Sequence, residues 1–270
     1  MTFLDEIIRQ KRLKLKNLKK RTPIAEIEAA IGHQEKAYLQ KRPFFEPFSK
    51  RSNKEVRVIA ELKQASPSRG EFHWQLSFEK MIDAYTKGGA YAISVITEES
   101  YFHGNPESIR ATRKRTNLPI LRKDFIVDAY EIYESKALGA DAVLLIGEAL
   151  EEKELKDMLS IAKEEIDIDV LLEIHSLKTY EKIAGLTGFV LGINNRDLRS
   201  LKVDIATANK LLEELPKDLP VIIESGIETR HDILSFLEKG VSGFLIGTAL
   251  VLSEDPVKKL YKLRGLDDGD

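Results

Sequence analysis

The chain has 270 residues, 42 basic against 44 acidic side chains for a net charge of −2, and no cysteine. A balance that near zero excludes a polycation built for nucleic acid and a polyanionic tail, and the missing thiols exclude disulfide scaffolds, thiolate metal sites and cysteine nucleophiles. Hydrophobic residues at 43% suffice for a large core, and the length permits two domains or one α/β barrel of about 250 residues.

Residues 1–21 read as a basic amphipathic helix, with Leu4, Ile8, Leu15 and Leu18 near one face. Eight Lys and Arg stand from Arg9 to Arg21 with no acidic residue among them. Such a face suits a nucleic acid or a membrane surface, but the segment carries too few aromatics to anchor in an interface. A solvated face of a helix packed on the domain is the better reading. The opening MTFLDEIIRQKRLK also lacks the apolar core of a signal peptide. No run of about 18 apolar residues predicts a transmembrane helix, so a cytoplasmic protein is expected. Pro23 ends the first helix or starts another at IAEIEAAIGH, and KRPFFEPFSKRSN, with two prolines, reads as an extended connector.

From Val56 onward, short β-branched runs alternate with longer amphipathic segments. The runs are 56–62, 91–97, 118–123, 141–146, 169–174, 189–194, 220–225 and 243–248, with starts 20 to 35 residues apart. Helical spacing recurs between them in SFEKMIDAYTKGG, SIRATRKRT, DAYEIYESKALGA, LEEKELKDMLSIAKEE and TRHDILSFLEKG, several ending in the glycine that stops a helix. Strands apolar on both faces suit a buried parallel sheet. Eight βα repeats predict an α/β fold, a (β/α)8 TIM barrel with an N-terminal helical extension. The extension covers residues 1–50 and the barrel 51–270, one domain overall. An open doubly wound sheet is the alternative, disfavoured because no G-x-G-x-x-G follows the first run.

Polar residues collect at the C-terminal ends of these runs: Glu61 and Lys63, Lys123, Glu173, Asn194 and Arg196, Glu224 and Ser225, Gly247 and Thr248. In a barrel those ends share one mouth, where barrel enzymes work. Burying so many charges costs several kcal/mol unless they pair or bind something. Lysines crowded among carboxylates can do general acid/base work on an anionic substrate. The glycine-bearing ends ESGI and IGTAL suit a phosphate, and the ASPSRG loop adds the Ser66 hydroxyl. The histidines, His33, His73, His103, His175 and His231, have no ligand spacing, so no metal is expected. His175 shares a strand face with Glu173 and is read as structural. No serine sits in a G-x-S-x-G elbow.

The segments VIAELKQASPSRG, AYAISVITEESYFHGN, LPILRKDFIVDAYEIYESKALGADAVLLI, LLEIHS, LGINNRDL, IIESGI and FLIGTALV resemble the indole-3-glycerol phosphate synthase family from about Val56 to Leu250. ESGI and IGTAL are shared with other phosphate-binding barrels, whereas RKDFIVD together with GINNRDL is much narrower. LDEIIRQKR looks like that family's extra N-terminal helix.

The resemblance implies a carboxy-lyase of tryptophan biosynthesis. It closes the ring of 1-(2-carboxyphenylamino)-1-deoxyribulose 5-phosphate, with loss of carbon dioxide and water, and uses no cofactor. It implies Lys123 as the general acid, Glu173 as the general base, and Lys63 as the holder of the substrate carboxylate, the dehydration acid staying open between the two lysines. Glu61 and Asn194 would orient these groups, and Arg196 and Glu224 would complete the charge network. Ser66, Ser225, Gly226, Gly247 and Thr248 would hold the phosphate; Thr248 departs from the usual serine or small residue but keeps the hydroxyl. Phe102, Phe125, Leu198 and Ile246 would wall a slot for the anthranilate ring, with ordinary core packing as the plainer reading of each. The implied partner is a small sugar phosphate, with no nucleic acid or membrane, and the family is commonly monomeric. Phosphoribosylanthranilate isomerase is the nearest rival, but it calls for a cysteine at the first strand's end. The tryptophan synthase α subunit lacks RKDF and GINNRDL. A non-catalytic phosphate-binding barrel predicts loss of a charged strand-end residue, and none is lost.

Overall fold

Eight of the apolar runs form parallel strands, and the computed structural model describes residues 2–33, 40, 42–49 and 55–266. The strands are β1 Val58–Leu62, β2 Ala92–Ile96, β3 Ile120–Lys123, β4 Ala142–Ile146, β5 Asp169–Ile174, β6 Val190–Asn194, β7 Val221–Glu224 and β8 Gly243–Ile246. Each pairs in parallel with its chain neighbours, and β1 closes the barrel on β8 through Val58↔Phe244 and Ala60↔Ile246. The expected TIM barrel is therefore present.

Alternation along each strand divides the core in two. Val58, Ala60 and Leu62 face the surrounding helices, while Ile59, Leu121, Leu144, Leu171, Val190, Ile222 and Leu245 meet one another inside. Continuing each inward row by two residues reaches Glu61, Lys123, Ile146, Glu173, Gly192, Glu224 and Gly247. The polar mouth is thus the top layer of the same rows whose lower layers are packed hydrocarbon.

Helices α1 Phe3–Arg21, α2 Ile24–Gly32 and α3 Phe45–Phe48 precede the barrel; α4 Phe78–Lys87, α5 Glu107–Arg113, α6 Ala129–Leu138, α7 Glu152–Ser160, α8 Leu177–Ile183, α9 Ala206–Glu214, α10 Arg230–Leu237, α11 Thr248–Val251 and α12 Pro256–Arg264 follow. Side-chain caps mark several of their starts. Asp128 accepts from the Tyr130 N–H ahead of α6. Thr229 and Asp232 form a reciprocal box ahead of α10.

Two expectations need correction. KRPFFEPFSKRSN is not simply an extended connector, since its described part contains α3, with Phe44 and Phe48 fully buried. A Cβ on Gly243 would stand 2.6 Å from the Phe48 ring, and Phe45 donates its N–H to Asp169 at the start of β5. The two rings therefore plug the barrel's closed lower end. The rest of that segment, Lys41 and residues 50–53, lies outside the described residues. The second correction concerns α1. Its basic face is only partly solvated: Ile7 and Leu15 are its buried residues, and Lys11 reaches Asp124 at 3.0 Å and Glu131 at 2.7 Å, both carboxylates almost fully enclosed.

Candidate active site

The mouth is a ring of paired buried charges. Lys123, closing β3, stands 2.8 Å from Glu173 on β5 and 3.2 Å from Glu224 on β7. Lys63, just past β1, stands 3.0 Å from Glu61. Glu61, Lys63, Glu173, Asn194 and Glu224 are all buried. Ions so enclosed are tolerable only when paired. Both Glu224 oxygens nevertheless lack a hydrogen bond, as does the buried Ser66 hydroxyl. Such unfilled polar capacity marks a site shaped for something else to enter.

Two confluent cavities open there. The larger, about 280 Å³, is bordered by Ser225, Gly226, Ile246, Gly247, Thr248 and Glu224. The smaller, about 80 Å³, is walled by Phe102, Phe125, Leu144, Ile146 and Leu198 and floored by Glu173. Glu61, Lys63, Lys123, Asn194, Arg196 and Ser225 border both. Every residue singled out from the sequence therefore lines one cavity or the other. Two sit differently from expectation: Ser66 borders the apolar slot and not the phosphate-side chamber, and Ile246 borders the chamber and not the slot. Ser68 and Arg69 stand on the chamber side instead.

Local backbone explains several positions. Ser225 has φ +63 and Gly226 φ +79, so the chain turns sharply just past β7, on the rim of the larger cavity. The Asn195 amide donates to the Ser225 carbonyl at 3.0 Å and fixes that turn. A Cβ on Gly192 would lie 2.3 Å from a Glu224 oxygen, and one on Gly247 would lie 2.2 Å from a Glu61 oxygen. Both glycines therefore leave space that the glutamates fill. Arg196 donates to Ser68 at 3.0 Å and to the Leu201 carbonyl at 2.8 Å, tying the loop after β1 to the loop after β6. The Glu98 carboxylate accepts the Ser100, Tyr101 and Phe102 N–H groups, which sets the loop carrying Phe102.

Electrostatics divides the carboxylates. Burial disfavours charge on Lys123, but Glu173, Glu224 and Glu61 outweigh it and hold its proton more firmly than on a free lysine. Burial likewise opposes the Glu173 anion, yet Lys123 and His175 pull its pKa below the ordinary carboxylate value. Glu224 goes the other way, raised by burial and by the neighbouring Glu173 charge. One lysine thus stands between an ionised carboxylate and one driven toward its neutral form, the pattern that separates base from acid.

Sequence reasoning missed Glu98, Asn195, Glu148 and the role of His175. His175 Nδ1 is 3.1 Å from Glu148 and Nε2 is 3.3 Å from Glu173. The inward period of two was the available signal, since Glu148 is two residues past Ile146 and His175 two past Glu173. A third cavity, about 520 Å³, lies beneath α1. It exceeds the mouth in volume, but the buried charges on its wall, Lys11, Arg122, Asp124 and Glu131, are paired with one another. The unpartnered Ser66 and Glu224 oxygens lie instead at the mouth.

A profile of the indole-3-glycerol phosphate synthase family matches residues 4–263. The indole-3-glycerol phosphate synthase of Carboxydothermus hydrogenoformans is 43% identical, over 97% of this chain and 99% of that protein. That of Alkaliphilus metalliredigens is 40% identical, over 98% and 100%. Among solved structures, 3-hexulose-6-phosphate synthase from Salmonella typhimurium superposes with a TM-score of 0.63 at 15% identity, covering 78% of this chain and 97% of that one. The tryptophan synthase α subunit of Pyrococcus furiosus gives 0.58 at 17% identity, covering 80% and 100%. These two structural likenesses speak for the barrel alone.

Proposed function

The chain belongs to the indole-3-glycerol phosphate synthase family, carboxy-lyases of tryptophan biosynthesis, and from that premise we propose how its mouth carries the reaction. The substrate is 1-(2-carboxyphenylamino)-1-deoxyribulose 5-phosphate. Its phosphate occupies the larger cavity, against Ser225, Gly226, Gly247 and Thr248. Its carboxyphenyl ring enters the slot of Phe102, Phe125 and Leu198, with Ile246 closing the chamber side. Lys63 and Arg196 meet the carboxylate.

The ring carbon bearing the carboxylate then attacks the ribulose carbonyl. Lys123 gives its proton to the carbonyl oxygen as the carbon–carbon bond forms. Carbon dioxide leaves with restoration of the aromatic ring, favoured by a slot that replaces water around the carboxylate. Glu173 removes the proton whose loss expels water and completes the indole, while Lys123 or Lys63 supplies the acid for the departing hydroxyl. Glu61 holds Lys63, Asn194 holds Glu173, Glu224 steadies Lys123, and the buried Ser66 hydroxyl offers a donor to the ring-side carboxylate.

The observation that carries these roles is Lys123, set between Glu173 and Glu224 where the apolar slot meets the phosphate-side chamber. All these groups come from one chain, which supports a working monomer. Among the described residues no helix is long and apolar enough to cross a membrane, which accords with a cytoplasmic setting. The Lys11 contacts across to Asp124 and Glu131 support residues 1–50 and 51–270 acting as one domain. The test is direct: mix protein and substrate in the presence of a chelator and follow indole fluorescence. Product formation at an enzyme's rate supports the assignment, and no indole signal refutes it.

A further inference from the structure

Two side chains packed behind Glu173, Glu148 and His175, remain outside the roles assigned above. Glu148 follows β4, and Ile146 two residues before it pairs in register with Glu173. Its Oε1 accepts the His175 backbone N–H at 2.8 Å and the Thr179 hydroxyl at 2.7 Å, while its Oε2 stands 3.1 Å from His175 Nδ1. The imidazole is thus fixed at both backbone and ring. Its other nitrogen, Nε2, is buried without a hydrogen bond and points to Glu173 Oε1 at 3.3 Å, a contact of charge. The second Glu173 oxygen faces Lys123. A Cβ on Gly147 would lie 2.6 Å from the Thr179 methyl, so the loop carrying Glu148 is pressed against the start of α8.

We propose that Glu148 and His175 form a charge chain behind Glu173 that fixes its orientation and keeps it ionised, making both of them positioning residues for its proton transfer. The proposal rests on the reading of Glu173 as the base. His175 Nε2 on one side of Glu173 and Lys123 on the other divide the carboxylate between them, so each oxygen has one direction. Burial alone would discharge His175, but the bond to Glu148 and the charge of Glu173 outweigh it and raise its pKa. The groups facing the ring are Glu148 after β4, Glu173 on β5, Glu224 on β7 and Asp197 after β6; Asp204, Lys210, Glu213 and Glu214 line a separate surface cavity that the ring borders on its outer side. Acidic groups prevail around it, which favours the imidazolium.

The test uses the full chain with Glu148→Gln and His175→Gln, measuring kcat and KM across the pH range in which each variant stays folded, together with melting temperature. In Glu148→Gln the amide keeps a bond to the ring but requires Nδ1 to accept, which leaves a neutral imidazole beside Glu173. The expected result is a kcat about tenfold lower, the scale seen when an orienting partner of an imidazole is lost. KM stays nearly constant, and the acid limb of kcat moves to higher pH in both variants, because Glu173 is less well held as an anion. A melting temperature that falls while kcat and the acid limb stay put would make the pair merely structural and overturn the proposal. Glu173→Gln is the control. Normal turnover there would remove the base assignment itself, whereas abolished turnover beside unaltered Glu148 and His175 variants would remove only the chain behind it.

Discussion

Replacing Lys11 by methionine probes the join between α1 and the segment that carries Lys123. Methionine keeps the apolar stem and removes only the ammonium. Asp124 would retain Arg122 at 3.4 Å and the Thr97 hydroxyl at 2.7 Å. Glu131 would retain the Val127 N–H at 2.9 Å but lose its ion pair, at a position 1% exposed. Breaking one partner from a buried pair costs about 3–5 kcal/mol. At about 2–4 °C per kcal/mol for a chain of this size, the melting temperature falls by about 10 °C. The pH dependence has a definite sign. Burial raises the Glu131 pKa, and Lys11 is the foremost group opposing that rise. Without Lys11 the pKa climbs further, so the cost is that of an ionised Glu131 and shrinks as acid protonates it. Asp124, whose depressed pKa contributes stability above the ordinary carboxylate value, also loses part of that contribution at neutral pH and not in acid. Thermal melts followed by circular dichroism at neutral and mildly acid pH measure the difference. Equal melting temperatures at neutral pH, or a gap that widens on acidification, would refute the reasoning.

Two further outcomes follow from local geometry. Ser225→Gly relieves a left-handed non-glycine residue but removes a hydroxyl from the phosphate-side chamber; the melting temperature should hold or rise. KM should climb about tenfold or more, since a hydrogen bond to a charged group contributes about 1.5–3 kcal/mol. Phe48→Ala empties the plug at the barrel's lower end and should cost about 3–5 kcal/mol in denaturant unfolding, with KM unchanged because the plug lies at the opposite end from the mouth.

The strands were legible because a buried parallel strand is a continuous β-branched run, and the starts of 169–174 and 243–248 coincide with those of β5 and β8. The charged ends of the inward rows were legible for a related reason: Glu61, Lys123, Glu173 and Glu224 are charges at the ends of apolar strands, where a shared mouth explains them. The plug was not, because Phe44 and Phe48, though four residues apart as on a helix face, belong to a helix of a single turn, too short for a period to show, and two prolines and several charges surround them. Lys11 was not, because its partners lie more than a hundred residues away and a helix face full of lysines gives no sign of which one is enclosed. His175 was noticed on the face of Glu173 but read as structural. Its partner Glu148 comes from the neighbouring strand's end, and only the register Ile146↔Glu173 brings the two together.

The central claim is that Lys123 gives up a proton at the mouth, and Lys123→Arg tests it most directly. Arginine keeps a cation between Glu173 and Glu224, so the buried charges stay balanced, but its flat guanidinium spreads the charge over a rigid fork of N–H groups and does not present one ammonium proton to the carbonyl oxygen as lysine does. Turnover of the carboxyphenylamino-deoxyribulose phosphate, followed by indole fluorescence, should drop by about 10²–10⁴-fold, the contribution of a positioned general acid, while the melting temperature stays close to that of the parent. Near-parental kcat in this variant would contradict the account.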